Sequence, residues 1–254
     1  MLVIGIGAGN PDHVTMQAVE ALNSASVFFV VDKGAAKSGL LDVREEICRR
    51  FIRDQDGYRI VEIPEPERDR STMPADAYTG VIADWHEARA VLFEQAIAEH
   101  LPDDGTGAFL VWGDPSLYDS TLRIIDRILA RGAVTFDYEV IPGVTAIHAL
   151  TAAHRLPLNR IGEPIQVTTG RRLVDGLPDG VDNVVVMLDA GFSAAALDEP
   201  DLQIYWGAYL STPDEVLISG RLGDVADEIE RTKAELKAKH GWIMDTYLVR
   251  RDHA

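Results

Sequence analysis

The N-terminal run of alternating signals constrains this fold more than any other segment. An apolar stretch, Met1 to Gly5, leads through a glycine-rich loop, Gly7 to Asp12, into a helix-patterned stretch and then a second apolar run, Val27 to Val31. Between Thr15 and Ala25, the residues Met16, Val19 and Leu22 fall on one helical stripe. Val27 to Val31 is apolar at every position, as a strand buried on both faces requires. A helix joining two such strands implies a parallel pair with a right-handed crossover. The chain is thereby committed to an α/β fold from its first turn.

The pattern continues. Leu41 to Ile52 reads as a helix, Tyr58 to Ile63 as a strand, and the Pro- and charge-rich Glu62 to Gly80 as a long surface loop. Val81 to Leu101 reads as a helix, with Val81, Trp85, Ala88, Leu92 and Ala96 on one face. Ala108 to Trp112 is the next buried strand, Ser120 to Ala130 a helix, and Thr135 to Ile141 a strand leading into Pro142-Gly143. After His154 the character changes. Ile165 to Thr169, Asn183 to Leu188, Gln203 to Ala208 and Trp242 to Arg250 read as strands. Only Gly223 to Lys239, with Val225, Ile229, Thr232 and Leu236 on one side, reads as a helix among them. The expectation is an α/β protein of two domains, residues 1–154 with a parallel sheet and residues 155–254 with a mixed one.

The net charge of −17 and the lack of a basic run argue against nucleic acid as a partner, because phosphate contacts need clustered Lys and Arg. No apolar run approaches the roughly 18 residues of a membrane span, and no charged leader precedes the first strand, so neither a membrane nor a signal peptide is expected. A cytoplasmic enzyme is the reading that follows. The single cysteine, Cys48, permits no intrachain disulfide and reads as a packing residue. His and Cys never cluster at ligand spacing, so no metal is expected.

Three strand ends carry the chemistry. Gly5, Gly7 and Gly9 lie between a strand and a helix, where a backbone can approach a ligand and a helix N-terminus can face it. Asp32 ends the second strand, near where a dinucleotide fold places its ribose acid, so a nicotinamide-dependent oxidoreductase is one reading. Asn10 stands where that fingerprint needs a third glycine. Thr15 suits a helix cap. The second strand end is Trp112-Gly113-Asp114-Pro115-Ser116-Leu117-Tyr118, where Asp114 reads either as a ligand-site carboxylate or as a helix cap. The third is Pro142-Gly143-Val144-Thr145-Ala146, where Thr145 reads as a cap. In open parallel sheets ligands bind at such strand ends.

These three segments, in this order and spacing, resemble the tetrapyrrole methylases over nearly the whole chain. The resemblance implies that family's two-domain fold, with an active site in the cleft between the domains. It implies S-adenosylmethionine as cofactor, S-adenosylhomocysteine as product, and a homodimer. It implies cofactor contacts from Ala8, Trp112, Gly113, Asp114, Leu117, Tyr118, Thr145, Ala146, Met187, Gly207 and Ala208. Read without the family, Met187 would be a core residue. Ala8 and Asn10 depart from the proline and aspartate usual in the family's first loop, which leaves open a binding protein that kept the fold without catalysis.

Four segments are similar to one branch of the family: Val31 to Gly34, Leu110 to Ser120, His154 to Pro164 and Thr168 to Leu173. That branch methylates carbon one of an anionic precorrin macrocycle and releases a two-carbon unit as acetate. Another precorrin methylase of the family is the alternative. Lys33, Arg155, Arg160, Arg171 and Arg172 are then candidates for the substrate carboxylates; each read alone favours a solvated surface charge, and their place in these segments raises the functional reading. Acyl release needs a group to handle a proton. Asp32 leads the candidates, although it matches the family's base only after a one-residue shift, followed by His13, Tyr118 and His148. His148, on an apolar helix, also reads as a core histidine.

Overall fold

The computed structural model describes residues 1–32, 38–66, 75–174, 176–177 and 180–251; of Asp32 only the backbone is described, and Lys33 lies outside these residues. Its contacts divide the chain into Met1–Val144 and Thr145–Ala254.

In the first unit, β1 (Leu2–Gly5), β2 (Val27–Asp32), β3 (Arg59–Pro64), β4 (Gly107–Val111) and β5 (Glu139–Ile141) form one sheet in the order β3-β2-β4-β1-β5. Every pairing in it is parallel. The continuous apolar runs divide by parity. Val3, Phe29, Phe109 and Val111 join one core with α3 (Ala75–His100) and α4 (Thr121–Arg131). Ile4, Phe28, Ala108 and Leu110 join another with α1 (Met16–Ser24) and α2 (Ser38–Phe51). Both faces are covered, which is why these strands do not alternate polar with apolar. On α4, Ile124, Ile125 and Ile128 are fully buried, each contributing roughly 1.5–3 kcal/mol. Cys48 packs in the second of these cores, and burial, then the nearby Glu45, pushes its thiol up to about 11.

Two boundaries differ from the sequence reading. α3 begins at Ala75, inside the segment expected to be loop, because Ala75-Asp76-Ala77 combines strong helix formers with an acid in the first turn. Thr135 to Tyr138 is not strand, since β5 has only β1 to pair with and their register starts with Leu2 opposite Glu139.

In the second unit, β6 (Gln166–Thr169), β7 (Asn183–Met187), β8 (Gln203–Ala208), β9 (Val216–Arg221) and β10 (Asp245–Arg250) form a sheet in the order β6-β7-β10-β8-β9. Only the β6–β7 pairing is parallel. One face, with Val184, Val186, Ile204, Trp206 and Tyr247, makes a core with α7 (Leu222–His240) and Leu173 of α6 (Gly170–Leu173). α5 (Ala146–His154) packs against β8 and β10. The helix α5, placed before the expected division at residue 155, thus has its contacts with the second sheet. β9 is an addition to the expected elements. The expected strand Trp242 to Arg250 begins only at Asp245; Trp242 and Ile243 instead pack against the core.

A buried polar network ties this sheet to α7. Lys233 pairs with Asp245 at 2.7 Å and also donates to the Asp189 carbonyl. Trp206 Nε1 donates to Asp245 at 2.9 Å, and Tyr247 Oη to Asp189 at 2.6 Å. Burial pushes the Asp245 carboxyl up against the pull of Lys233. Burial acts the same way on Asp189, but hydrogen bonds from Tyr247 and Ser193 prevail and hold it below its ordinary value. No helix among the described residues is long and apolar enough to cross a membrane. No group of three or more His, Cys, Asp or Glu among them is placed to hold a metal.

Candidate functional site

The strand order creates the site in the first unit. The chain leaves β1 for β2 over β4 in one direction, and leaves β4 for β5 over β1 in the other. The following helices accordingly lie on opposite faces, with Leu22 of α1 in one core and Ile124 of α4 in the other. Between β1 and β4 the connections part, which is the switch point where open parallel sheets bind ligands. The loops Gly7–Asn10 and Gly113–Tyr118 leave the sheet there.

Glycine lets these loops close on each other. Gly7 and Gly113, at φ +83° and +71°, bond reciprocally: Gly113 N donates to Gly7 O at 2.8 Å and Gly7 N to Gly113 O at 3.3 Å. Gly143 is packed so tightly that a Cβ would stand 2.1 Å from Gly113 O and 2.9 Å from Gly5 Cα. Asp114 fastens the same point. One carboxylate oxygen accepts from Ser116 N at 2.8 Å, and the other from Gly143 N at 2.8 Å. Burial works to raise its pKa, but the hydrogen bonds from Ser116 and Gly143 hold it below the ordinary carboxylate range. Asp114 does not cap α4; the N of its first residue, Thr121, is capped by Asp119 at 2.7 Å.

Other residues take assigned places. Asn10, where the nicotinamide fingerprint needs glycine, caps a short turn by accepting from Asp12 N at 2.9 Å, and Thr15 caps α1. Ala8 is buried. Tyr118 is exposed with φ +51°, and partial burial raises its pKa. Two buried polar atoms flanking these loops, Trp112 Nε1 and His13 Nδ1, have no partner among the described residues. An orphan indole donor and an imidazole nitrogen beside a glycine turn suit a small ligand rich in acceptors and amines. Adenine nitrogens, ribose hydroxyls and an amino-acid carboxylate are such groups.

In the second unit, register brings two distant candidates together. Met187, Thr246 and Gly207 face one another in a row across β7, β10 and β8. A Cβ on Gly207 would meet Leu150 of α5 at 2.9 Å, so α5 covers the face that carries this row. Thr145 caps α5, and Ala146 is its first residue. Thr145 Oγ1 and His148 Nδ1 lie 2.8 Å apart. His148 is exposed rather than the core histidine its apolar helix suggested, because the core stripe of α5 is Ile147, Leu150 and Thr151. Ala208, adjacent to Gly207, is buried in the opposite core.

The basic candidates of the second unit lie on α5, the loop after it and α6. Arg155 is exposed and ends α5 in the left-handed region at φ +57°. Arg160 lies in the following loop, where its carbonyl accepts from Glu163 N at 3.1 Å. Arg171 and Arg172 are exposed on α6. Two cations of the first unit, the half-buried Arg44 and the buried Arg89, were not among the expected residues. Arg44 donates to Leu110 O at 3.3 Å, and Arg89 donates to Ser120 Oγ at 3.1 Å. Burial lowers the pKa of both, against the attraction of Asp119 on each and of Glu65 on Arg89. Arg89 was legible in principle, lying midway between Trp85 and Phe93 at helical i, i+4 spacing.

A parallel sheet with fused glycine loops at its switch point defines a small-molecule α/β protein with a second, mixed sheet appended. Residues 1–226 match the Tetrapyrrole (Corrin/Porphyrin) Methylases. The precorrin-6A synthase [deacetylating] of Sinorhizobium sp is 49% identical over 251 residues, covering 99% of this chain and 95% of that protein. The crystal structure of a cobalamin synthesis related protein, CobF, of Corynebacterium diphtheriae is 39% identical, covers 98% of this chain and 97% of that one, and superposes with a TM-score of 0.83. The uroporphyrin-III C-methyl transferase of Thermus thermophilus, complexed with S-adenosyl homocysteine, shares the fold at 19% identity and a TM-score of 0.60, over 98% of this chain and 96% of that one. The chain belongs to the tetrapyrrole methylase family.

Proposed function

We propose that this chain converts precorrin-5, S-adenosylmethionine and water to precorrin-6A, S-adenosylhomocysteine and acetate. The observation that carries the reading is 49% identity to a deacetylating precorrin-6A synthase over 99% of this chain. The cofactor is supported by the family and by the relative complexed with S-adenosyl homocysteine. When bound, it supplies an electrophilic methyl group.

The chain's own part is to orient and to move a proton. Methyl transfer is an in-line displacement whose rate rests mainly on alignment of donor and carbon. In the first unit the proposed cofactor contacts are Ala8, Trp112, Gly113, Asp114, Leu117 and Tyr118. Trp112 Nε1 offers a buried donor. Asp114 has both carboxylate oxygens engaged by Ser116 and Gly143, so it contributes by fixing the loop and through its backbone. In the second unit they are Thr145, Ala146, Met187, Gly207 and Ala208. Arg155, Arg160, Arg171, Arg172 and Lys33 are proposed for substrate carboxylates, and Asp32 for the proton of acyl cleavage. Family likeness further supports a cytoplasmic homodimer.

The test is calorimetry with S-adenosylhomocysteine and with NAD, followed by incubation with precorrin-5 and S-adenosylmethionine. Heat with the first ligand only, and equal amounts of S-adenosylhomocysteine and acetate, are expected. Methylation of a different precorrin without acetate would assign another reaction of the family, and heat from NAD alone would overturn the reading.

A further inference from the structure

Arg89 is 7% exposed, in a chain whose net charge is −17. Its guanidinium lies over Trp85 at 4.7 Å and Phe93 at 5.0 Å. One nitrogen donates to the neutral Ser120 hydroxyl, while Nε is buried and has no partner among the described residues. Glu65 and Asp119 attract it, yet neither forms an ion pair with it. A guanidinium stays charged under all ordinary conditions. A desolvated charge without a bonded counter-ion destabilises a fold, whereas an apolar residue of similar shape often would not. With no carboxylate bonded to it among the described residues, Arg89 is poorly explained there as a stabilising residue.

Its place suggests another role. Ser120 ends the loop that starts at Gly113, and Glu65 directly follows β3. Arg89 thus sits at the carboxyl edge of the first sheet, the edge from which the switch-point loops depart. A fork of N–H donors with one hydrogen bond unmade is matched by a carboxylate. We propose that Arg89 binds a peripheral carboxylate of the anionic macrocycle, as a substrate-binding residue of the first unit. This rests on the function proposed above. It also answers how so acidic a chain holds an anionic substrate: one desolvated cation acts at short range, where the long-range field is of little account.

Arg89→Met separates binding from structure. The expected results are a melting temperature equal to or above that of the native chain, S-adenosylhomocysteine affinity within about twofold, and a KM for precorrin-5 raised roughly 10- to 100-fold, the range set by one hydrogen bond to a charged group. Arg89→Lys, keeping charge without the fork, falls between. A lowered melting temperature with loss of S-adenosylhomocysteine binding would make Arg89 an anchor of the Ser120 loop and overturn the proposal, as would an unchanged KM. If the native chain does not turn over precorrin-5, the proposed function fails, and Arg89 is judged by citrate alone. Citrate should raise the melting temperature of the native chain and not that of Arg89→Met; equal shifts would overturn the site.

Discussion

The two sheets hold the edges that carry the candidate residues in different ways. At the switch point of the first, main chain meets main chain: Gly5, Gly113 and Gly143 touch, and Gly7 bonds to Gly113. The second is held by side chains, with Lys233, Asp245, Trp206, Asp189 and Tyr247 linked through its interior. Backbone contact permits no adjustment, because a carbonyl cannot swing away as a side chain can. A charged side-chain network can adjust, since a carboxylate can take up a proton. The first edge should therefore fail sharply with any added atom, and the second gradually and with pH.

The sharpest break of that contrast is Gly143→Ala. Its Cβ would stand 2.1 Å from Gly113 O, with backbone on every side. The loss should exceed the roughly 1–3 kcal/mol usual for an extra methylene in a packed core, and S-adenosylhomocysteine binding should vanish. Gly162→Ala in the second unit is the control. Gly162 has φ +76° but no atom within 4 Å of a Cβ, so only backbone strain of about 1–2 kcal/mol applies. Urea melts of both variants make the comparison. Equal losses would mean that the first edge yields to the added methyl, and that close backbone contact does not set its stability.

Lys233→Met tests the second sheet. Removing one member of a buried pair costs about 3–5 kcal/mol when the other must stay charged. Asp245 has an escape, because burial already pushes its carboxyl up. Without Lys233 it should rise further. A carboxyl whose folded value is raised destabilises the fold above that value, and the penalty fades as pH falls through it. The variant should therefore lose more stability at pH 8 than at pH 5. A loss that ignores pH would mean Asp245 stays ionised without its partner, and the network is as rigid as the glycine edge.

The same contrast explains what the sequence made legible. Strands buried on both faces announce themselves as unbroken apolar runs, so β1, β2 and β4, and the loops after β1 and β4, were readable from Val27–Val31 and its counterparts. β9 was not, because it is an edge strand with alternating exposure, carrying Leu217 outward and Gly220 within it. α5 follows the Pro142-Gly143 loop of the first sheet in sequence, and nothing local says that its apolar stripe belongs to the second. Long-range polar pairs were equally silent. Asp114 and Gly143 are 29 residues apart, and Asp189 meets Tyr247 across 58. The row of Met187, Thr246 and Gly207 needs strand register, which composition does not carry.

At Asp114 the first edge borrows the device of the second, so its substitution should have the smallest and most conditional effect. Its two oxygens receive Ser116 N and Gly143 N, and these bonds hold its carboxyl below the ordinary range although burial acts to raise it. Asp114→Asn can still accept from one of the two donors. Its amide group then faces the other; if that is the half-buried Gly143 N–H, leaving it unmatched costs up to about 1–3 kcal/mol. The sign with pH follows from the depressed value. A carboxyl lowered by folding contributes stability that is full above its unfolded pKa and is lost as pH falls through the folded one. The native chain should thus lose this contribution below about pH 4, while the variant, having no carboxyl there, does not. Urea midpoints of the two should differ at pH 7 and converge toward pH 3. Curves that stay parallel would show that shape alone, not charge, joins the Gly113 loop to Gly143, and the first edge would then be a backbone structure throughout.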